Sequence, residues 1–262
     1  MKKIKTALIT GASAGIGYEL AQVHAQTGGD LVVVARREDK LKDLKAQLED
    51  TYGIQVYPIT KDLTQPNAAT EVYDDIKSQG IEIDYLINNA GFGGLGKFHQ
   101  RPLAADIEMI NLNIIALTSF THLVLQDFVQ KNSGRILNVS STASLLPGPL
   151  QAVYYATKAF VTSFSNALSG ELSNTKVTVT NLMPGATATE FASVSGMEKT
   201  ALFDKTVSAR KVAEDGYKAM LKGKRDIISG LTVIQRLMLS MIPFTPKKIV
   251  LAQIKQMQKN KG

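Results

Sequence analysis

The chain has 262 residues, 44% of them hydrophobic, enough to bury the core of one large α/β domain. It contains no cysteine, which excludes a disulfide framework or a thiolate metal site. Its net charge of +7 suits an anionic cofactor or substrate, and the basic residues are dispersed until a lysine-rich tail.

The N-terminus is basic, but its apolar run has only five residues before glycines begin. That is too short for a signal-peptide core, and a cytoplasmic location is expected. This run, Lys5 to Ile9, reads as a first strand. Thr10-Gly11-Ala12-Ser13-Ala14-Gly15-Ile16-Gly17 follows at once, and an amphipathic helix runs from Ile16 to about Gln26. Glycine at 11 permits a tight turn, while Gly15 and Gly17 let backbone and helix approach a pyrophosphate. The phosphates then meet exposed N–H groups at a helix N-terminus, where the dipole favours anions.

Strands and helices alternate from there. Leu31 to Ala35 is an apolar strand, followed by a charged helix from Glu38 to Tyr52. Val56 to Thr60 is the third strand, with a helix near Pro66 to Gln79, and Asp84 to Ile87 is the fourth. A long helix is predicted from Asp106 to Val129, then a strand from Arg135 to Val139 and a helix from Leu150 to Leu172. Lys176 to Leu182 is the sixth strand; a helix from Ala209 to Leu221 leads to a short strand, Asp226 to Ile228. Near-continuous apolar strands separated by helices predict a mostly parallel, doubly wound sheet of seven strands in one Rossmann domain over 1–262, with helices on both faces.

Ligands of such sheets lie beyond the C-terminal strand ends. Arg36 and Arg37 follow strand two, where an NAD enzyme usually places a carboxylate. Guanidinium groups suit the 2′-phosphate of NADP(H), which is expected over NAD(H); the other reading is a solvated pair facing Glu38 and Asp39. Asp62, with Leu63, follows strand three and could accept from an adenine amino group or serve a turn or helix cap. Asn88-Asn89-Ala90-Gly91 closes strand four, and Pro184-Gly185 follows strand six, with Thr187 and Thr189 as hydroxyl donors. A literal GxGxxG at Gly91-Phe92-Gly93-Gly94-Leu95-Gly96 opens no helix and is read as a mobile loop.

Tyr154 and Lys158 lie four apart on a predicted helix and share one face. A nearby ammonium favours the phenolate, which would bring the phenol into proton-transfer range. Tyr155, with Ala159 at i+4, points elsewhere. Ser141, just past strand five, can hydrogen-bond a substrate oxygen.

Taken together, these motifs resemble the short-chain dehydrogenase/reductase family of NADP(H)-preferring type across most of residues 5–190. They are Thr10 to Gly17, Asn88 to Gly91, the asparagine within Asn111-Leu112-Asn113, Ser141, Tyr154-Tyr155-Ala156-Thr157-Lys158, and Pro184-Gly185. The resemblance implies hydride transfer between NADP(H) and a carbonyl or secondary alcohol. It makes Tyr154 the acid/base, Lys158 its pKa-lowering and ribose-binding partner, and Ser141 the group that orients the carbonyl. Asn113, or alternatively Asn111, would hold a relay water, and Asn89 would support the sheet and the cofactor side. It also implies a substrate lid at about 187–206, here apolar through Phe191, Val194, Met197, Leu202 and Phe203, and hence a hydrophobic substrate. A homodimer or homotetramer built on the two long helices is expected.

His24 and His122 read as packing or surface residues, and His99 could touch substrate. The apolar run Ile227 to Phe244 is interrupted by Gln235 and Arg236 and ended by Pro243, so it does not span a membrane. With Lys247, Lys248, Lys255, Lys259 and Lys261 of a basic C-terminal helix, it could lie on an anionic membrane surface. Cover of the cleft or a subunit contact is the preferred reading of this 227–262 extension. No basic patch interleaved with aromatics points to nucleic acid. The alternative to an enzyme is a catalytically silent nucleotide-binding regulator or scaffold; Asn113, Ser141, Tyr154 and Lys158 together favour the enzyme.

Overall fold

The computed structural model describes residues 4–259. Seven parallel strands form one sheet: β1 (Thr6–Thr10), β2 (Asp30–Ala35), β3 (Val56–Thr60), β4 (Tyr85–Asn88), β5 (Gly134–Val139), β6 (Val177–Pro184) and, after two short strands outside it, β9 (Asp226–Ser229). Their order is β3-β2-β1-β4-β5-β6-β9, with all pairings parallel. The order reverses between β1 and β4, and this switch point opens a crevice at the strands' C-terminal ends.

Alternation within β1 shows how the core is built. Ala7 and Ile9 pack with Leu20 and Ala21 of α1 (Gly15–Ala25), Leu44 of α2 (Glu38–Tyr52) and Met220 of α8 (Ala209–Leu221) on one face. Leu8 points to the other, against Ile76 of α3 (Ala68–Ser78) and Phe120 and Phe128 of α5 (Leu117–Gln130). These side chains are fully buried, and each such Leu, Ile or Phe contributes about 1.5–3 kcal/mol.

The helix predicted from Asp106 to Val129 is interrupted. It consists of α4 (Leu103–Ile110), a π-helical segment (Asn111–Ala116) and α5. The whole 103–130 run is long and apolar enough to cross a membrane by length and composition. Its apolar stripe, Phe120, Val124 and Phe128, is spent on the sheet. The loop after β4, read from the sequence as mobile, makes several hydrogen bonds: Leu95 donates to the Ser195 carbonyl (3.0 Å), Gly96 to that of Leu150 (2.8 Å), and Arg101 to that of Leu95 (3.2 Å). Arg101 is held in turn by buried Asp106 at 2.8 Å.

Helix α6 spans Ala152–Glu171. The predicted lid is tied at its base by a two-stranded parallel pair, β7 (Thr187–Ala188) with β8 (Val207–Ser208), and contains the short helix α7 (Phe191–Val194). The chain closes with α9 (Val233–Ser240) and α10 (Lys247–Met257). Lys247, Lys248 and Lys255 lie on α10 and Lys259 follows it, whereas Lys261 lies outside the described residues.

Helix α1 meets the sheet through Gly17. A Cβ there would sit 2.2 Å from the Gly11 carbonyl oxygen and 2.4 Å from the Asn89 amide nitrogen. Gly17→Ala is therefore expected to destabilise the fold by about 1–3 kcal/mol, measured by urea denaturation, although alanine is the better helix former.

Candidate active site

The phosphate cradle is the turn between β1 and α1. Gly11 and Gly15 adopt φ of +68° and +57°, the left-handed region open to glycine. Ala14 precedes α1 and offers no side-chain cap, so the helix's first N–H groups are available to an anion. Gly11, Ser13, Ala14, Gly15 and Ile16 line a cavity of about 990 Å³, whereas Gly17 packs behind it. Main-chain donors plus glycines in the strained positions fit a dinucleotide pyrophosphate.

Arg36 and Arg37 line the same cavity past β2. The Arg37 guanidinium donates to Ser13 Oγ (3.2 Å) and to Glu190 (3.1 Å), a lid residue 153 positions away. Both partners line the same cavity, so Arg37 is held at its edge beside the cradle. The Asp62 carboxylate accepts from the backbone and hydroxyl of Thr64 at 3.0 and 2.9 Å. Burial pushes its pKa up, but these bonds, Gln65 and the Arg36 charge bring it below the ordinary value. These bonds are those of a turn, and both Asp62 and Leu63 line the cavity.

Asn89 fastens β4 to the cradle. Its amide donates to the carbonyls of Thr10 (2.9 Å) and Gly11 (3.2 Å), while the Thr10 hydroxyl accepts from the backbone of Asn89 and Ala90. Ala90 and Gly91 line the cavity, and a Cβ on Gly91 would sit 3.0 Å from Asn113 Oδ1. Asn113 is buried in the π-helical segment. Its amide protons go to the Phe92 carbonyl and Thr157 Oγ1, both at 3.0 Å, and its oxygen accepts from the Phe92 backbone at 3.1 Å. The side chain thus clamps the loop after β4 to α6. Asn111, two residues before it, is only half-buried.

Ser141 follows β5 and accepts from the Ala143 backbone at 3.1 Å. Its hydroxyl donates to the Pro184 carbonyl at 3.5 Å, and Tyr154 lines the same cavity with its ring packed against Phe191, centroids 5.3 Å apart. Burial holds the Tyr154 hydroxyl well above the ordinary phenol pKa, with Ser141 partly offsetting it and Tyr155 adding to it. This reverses the expected lowering by Lys158. The Lys158 ammonium lies 5.9 Å from the Tyr154 ring centroid and donates to the Val139 carbonyl at 2.9 Å. Burial pushes Lys158 itself down to about 8. Tyr155 points away: its hydroxyl accepts from Gln258 at 2.6 Å, and burial pushes its pKa up to about 12.

Pro184 and Gly185 close the far wall, where the Thr187 hydroxyl donates to the Gly185 carbonyl at 2.9 Å. Thr189 touches the cradle: a Cβ on Gly15 would sit 3.0 Å from its methyl. The lid residues Phe191, Val194, Met197, Leu202 and Phe203 all line the cavity. It is one continuous space, polar at the cradle and apolar beyond Tyr154.

Residues 5–199 match the family described as short chain dehydrogenase. The chain belongs to the short-chain dehydrogenases. It is 37% identical over 194 residues to a probable NADP-dependent dehydrogenase of Haemophilus influenzae, covering 73% of this chain and 75% of that one. It is 34% identical over 194 residues to the very-long-chain 3-oxoacyl-CoA reductase of Rattus norvegicus, covering 72% of this chain but only 61% of the relative. A short-chain dehydrogenase from Sphingobium yanoikuyae in complex with NADPH superposes with a TM-score of 0.83 at 33% identity, covering 92% and 94% of the two chains.

Leu231, Ile254 and Met257 of the segment after β9 line the apolar end, in keeping with the reading of that extension as cover of the cleft, whereas Leu146 on the same wall was missed by sequence reasoning. Their contribution arises from long-range docking, as in the Gln258–Tyr155 bond, and carries no local motif. His99 does not line the cavity; His24 is buried between Tyr217 and two backbone carbonyls, and burial lowers its pKa.

The Lys158 shift has a thermodynamic sign. A lysine whose folded pKa is about 8 against 10.5 unfolded binds fewer protons in the fold between these values, so the cofactor-free protein loses stability as pH falls from 10.5 through about 8. Lys158→Met lacks this dependence. Its melting temperature, relative to the parent, is expected to rise as pH is lowered across that window, measured by differential scanning fluorimetry.

Proposed function

We propose that the chain is an NADP(H)-dependent reductase or dehydrogenase of a hydrophobic carbonyl or secondary-alcohol compound. One observation carries the reading: Tyr154 and Ser141 stand where the phosphate cradle's cavity turns apolar. The relatives named for NADP and NADPH support the cofactor, and the 3-oxoacyl-CoA reductase supports a long apolar substrate.

The α1 N-terminus and Gly11 to Ile16 hold the pyrophosphate, Arg36 and Arg37 read the 2′-phosphate, and Leu63, Asn89, Ala90, Gly91 and Pro184 to Thr189 frame the rest. Bound there, the nicotinamide supplies or accepts the hydride at the substrate carbon. The chain moves the proton. Tyr154, protonated at neutral pH because burial disfavours its phenolate, gives its hydroxyl proton to the substrate oxygen. Ser141 donates a hydrogen bond to that oxygen and orients it. Lys158, with a pKa of about 8, is still mostly charged near neutrality, and its ammonium favours the phenolate left behind. Asn113 is a positioning residue through Phe92 and Thr157. A binding-only scaffold has no use for this buried polar group, whose desolvation costs stability.

We read the chain as one cytoplasmic Rossmann domain that assembles as a homodimer or homotetramer. The exposed apolar side chains Ile107, Ile115 and Val129 along the α4–α5 run and Phe160 on α6 support that assembly. Fluorescence titration with NADPH and NADH tests the cofactor. NADPH is expected to bind at least about tenfold tighter, roughly 1.4 kcal/mol, and the Arg36→Ala/Arg37→Ala variant to lose that preference. Equal losses for both cofactors would show that the arginines do not read the phosphate.

A further inference from the structure

The segment after β9 leaves an apolar face uncovered. No residue of α9 is buried. Val233, Ile234, Leu237, Met238 and Met241 recur at helical spacing and occupy one side, with Val233 84% and Ile234 72% exposed. Phe244, 80% exposed, extends the patch beyond the helix. Surfaces of this kind mark a docking site. Leu237, Met238 and Met241 also line the cavity, so the apolar end of the cavity opens through this same patch.

Charge identifies the occupant. Residues 227–262 carry Arg236, Lys247, Lys248, Lys255, Lys259 and Lys261 and no aspartate or glutamate, so this segment holds almost all of the chain's net charge of +7. Lys247, Lys248 and Lys255 are exposed on α10, immediately after Phe244. A second copy seated face to face on the patch would bring these like charges together, which opposes an isologous contact. An anionic bilayer satisfies both features: the apolar side chains enter the acyl boundary and the lysines meet the headgroups.

We infer that α9, Phe244 and the α10 lysines form a docking surface for an anionic lipid bilayer, and that it places the mouth of the cavity against the membrane. Bilayer docking stands independently of the catalytic reading; the further consequence, that apolar carbonyl substrate enters from the lipid phase, rests on that reading.

The test is flotation of the full chain with vesicles of phosphatidylglycerol and phosphatidylcholine, or of phosphatidylcholine alone, in roughly 0.1 M and roughly 1 M salt. The protein is expected to float with the anionic vesicles in low salt, and weakly with neutral ones or in high salt. Val233→Asp/Ile234→Asp removes the apolar anchor without touching the cavity, and Lys247→Glu/Lys248→Glu reverses the charge. Each should lower partitioning at least roughly tenfold while NADPH binding and melting temperature stay unchanged. No flotation with anionic vesicles, or undiminished flotation of both variants, overturns the proposal. So does a drop in oligomeric mass of Val233→Asp/Ile234→Asp in sedimentation velocity, which would assign the face to a second copy. Failure of NADPH binding in the parent would overturn the catalytic reading and leave vesicle binding to be scored separately.

Discussion

The side-chain amide of Asn89 holds the place where the sheet reverses direction. It donates to the Thr10 and Gly11 carbonyls and so joins the end of β4 to the glycine turn after β1. The absence of a Cβ at Gly17 lets α1 start against that junction. The crevice opens there because β1 and β4 send their connections in opposite directions, and the Asn89 bonds tie its two walls together. With them, an uncapped helix N-terminus, two arginines past β2 and the β5–α6 residues share one cavity.

Burial then decides the chemistry at the turn of that cavity. It raises Tyr154 and lowers Lys158, so both side chains are pushed toward neutrality. On the proposed reading, a proton given up by a reluctant phenol calls for a positive charge nearby, and the Lys158 ammonium stands 5.9 Å from the Tyr154 ring centroid. The Val139 carbonyl and the clamp of Asn113 on Thr157 keep α6 in register for both. The site is a compromise between a dry pocket for an apolar carbonyl and the charge that the reaction needs.

The strand pattern was legible because buried parallel strands are nearly pure apolar runs, and all seven were found in the expected order along the chain. The family motifs were legible because glycine, asparagine and the Tyr-x-x-x-Lys spacing are demanded by local geometry. What stayed hidden depends on contacts between distant residues. The π-helical break at Asn113 follows from bonds to Phe92 and Thr157, not from any helix-breaking residue. The β7–β8 pair has only two residues per strand, too few for periodicity. Arg37 was expected as a phosphate reader, but its hold on Ser13 and Glu190 needed the lid in place. The contacts of the glycine-rich loop after β4 with Ser195 and Leu150 had no local signal, because those partners lie far along the chain.

The central claim is that Tyr154 transfers the proton inside a cavity that binds NADPH without it. The direct measurement is steady-state NADPH oxidation with hydrophobic ketones by the parent and by Tyr154→Phe, alongside NADPH titration of both. The account predicts unchanged NADPH binding and a fall in kcat of about 100-fold or more, the scale of a lost general acid. Turnover at the parent rate by Tyr154→Phe would contradict it.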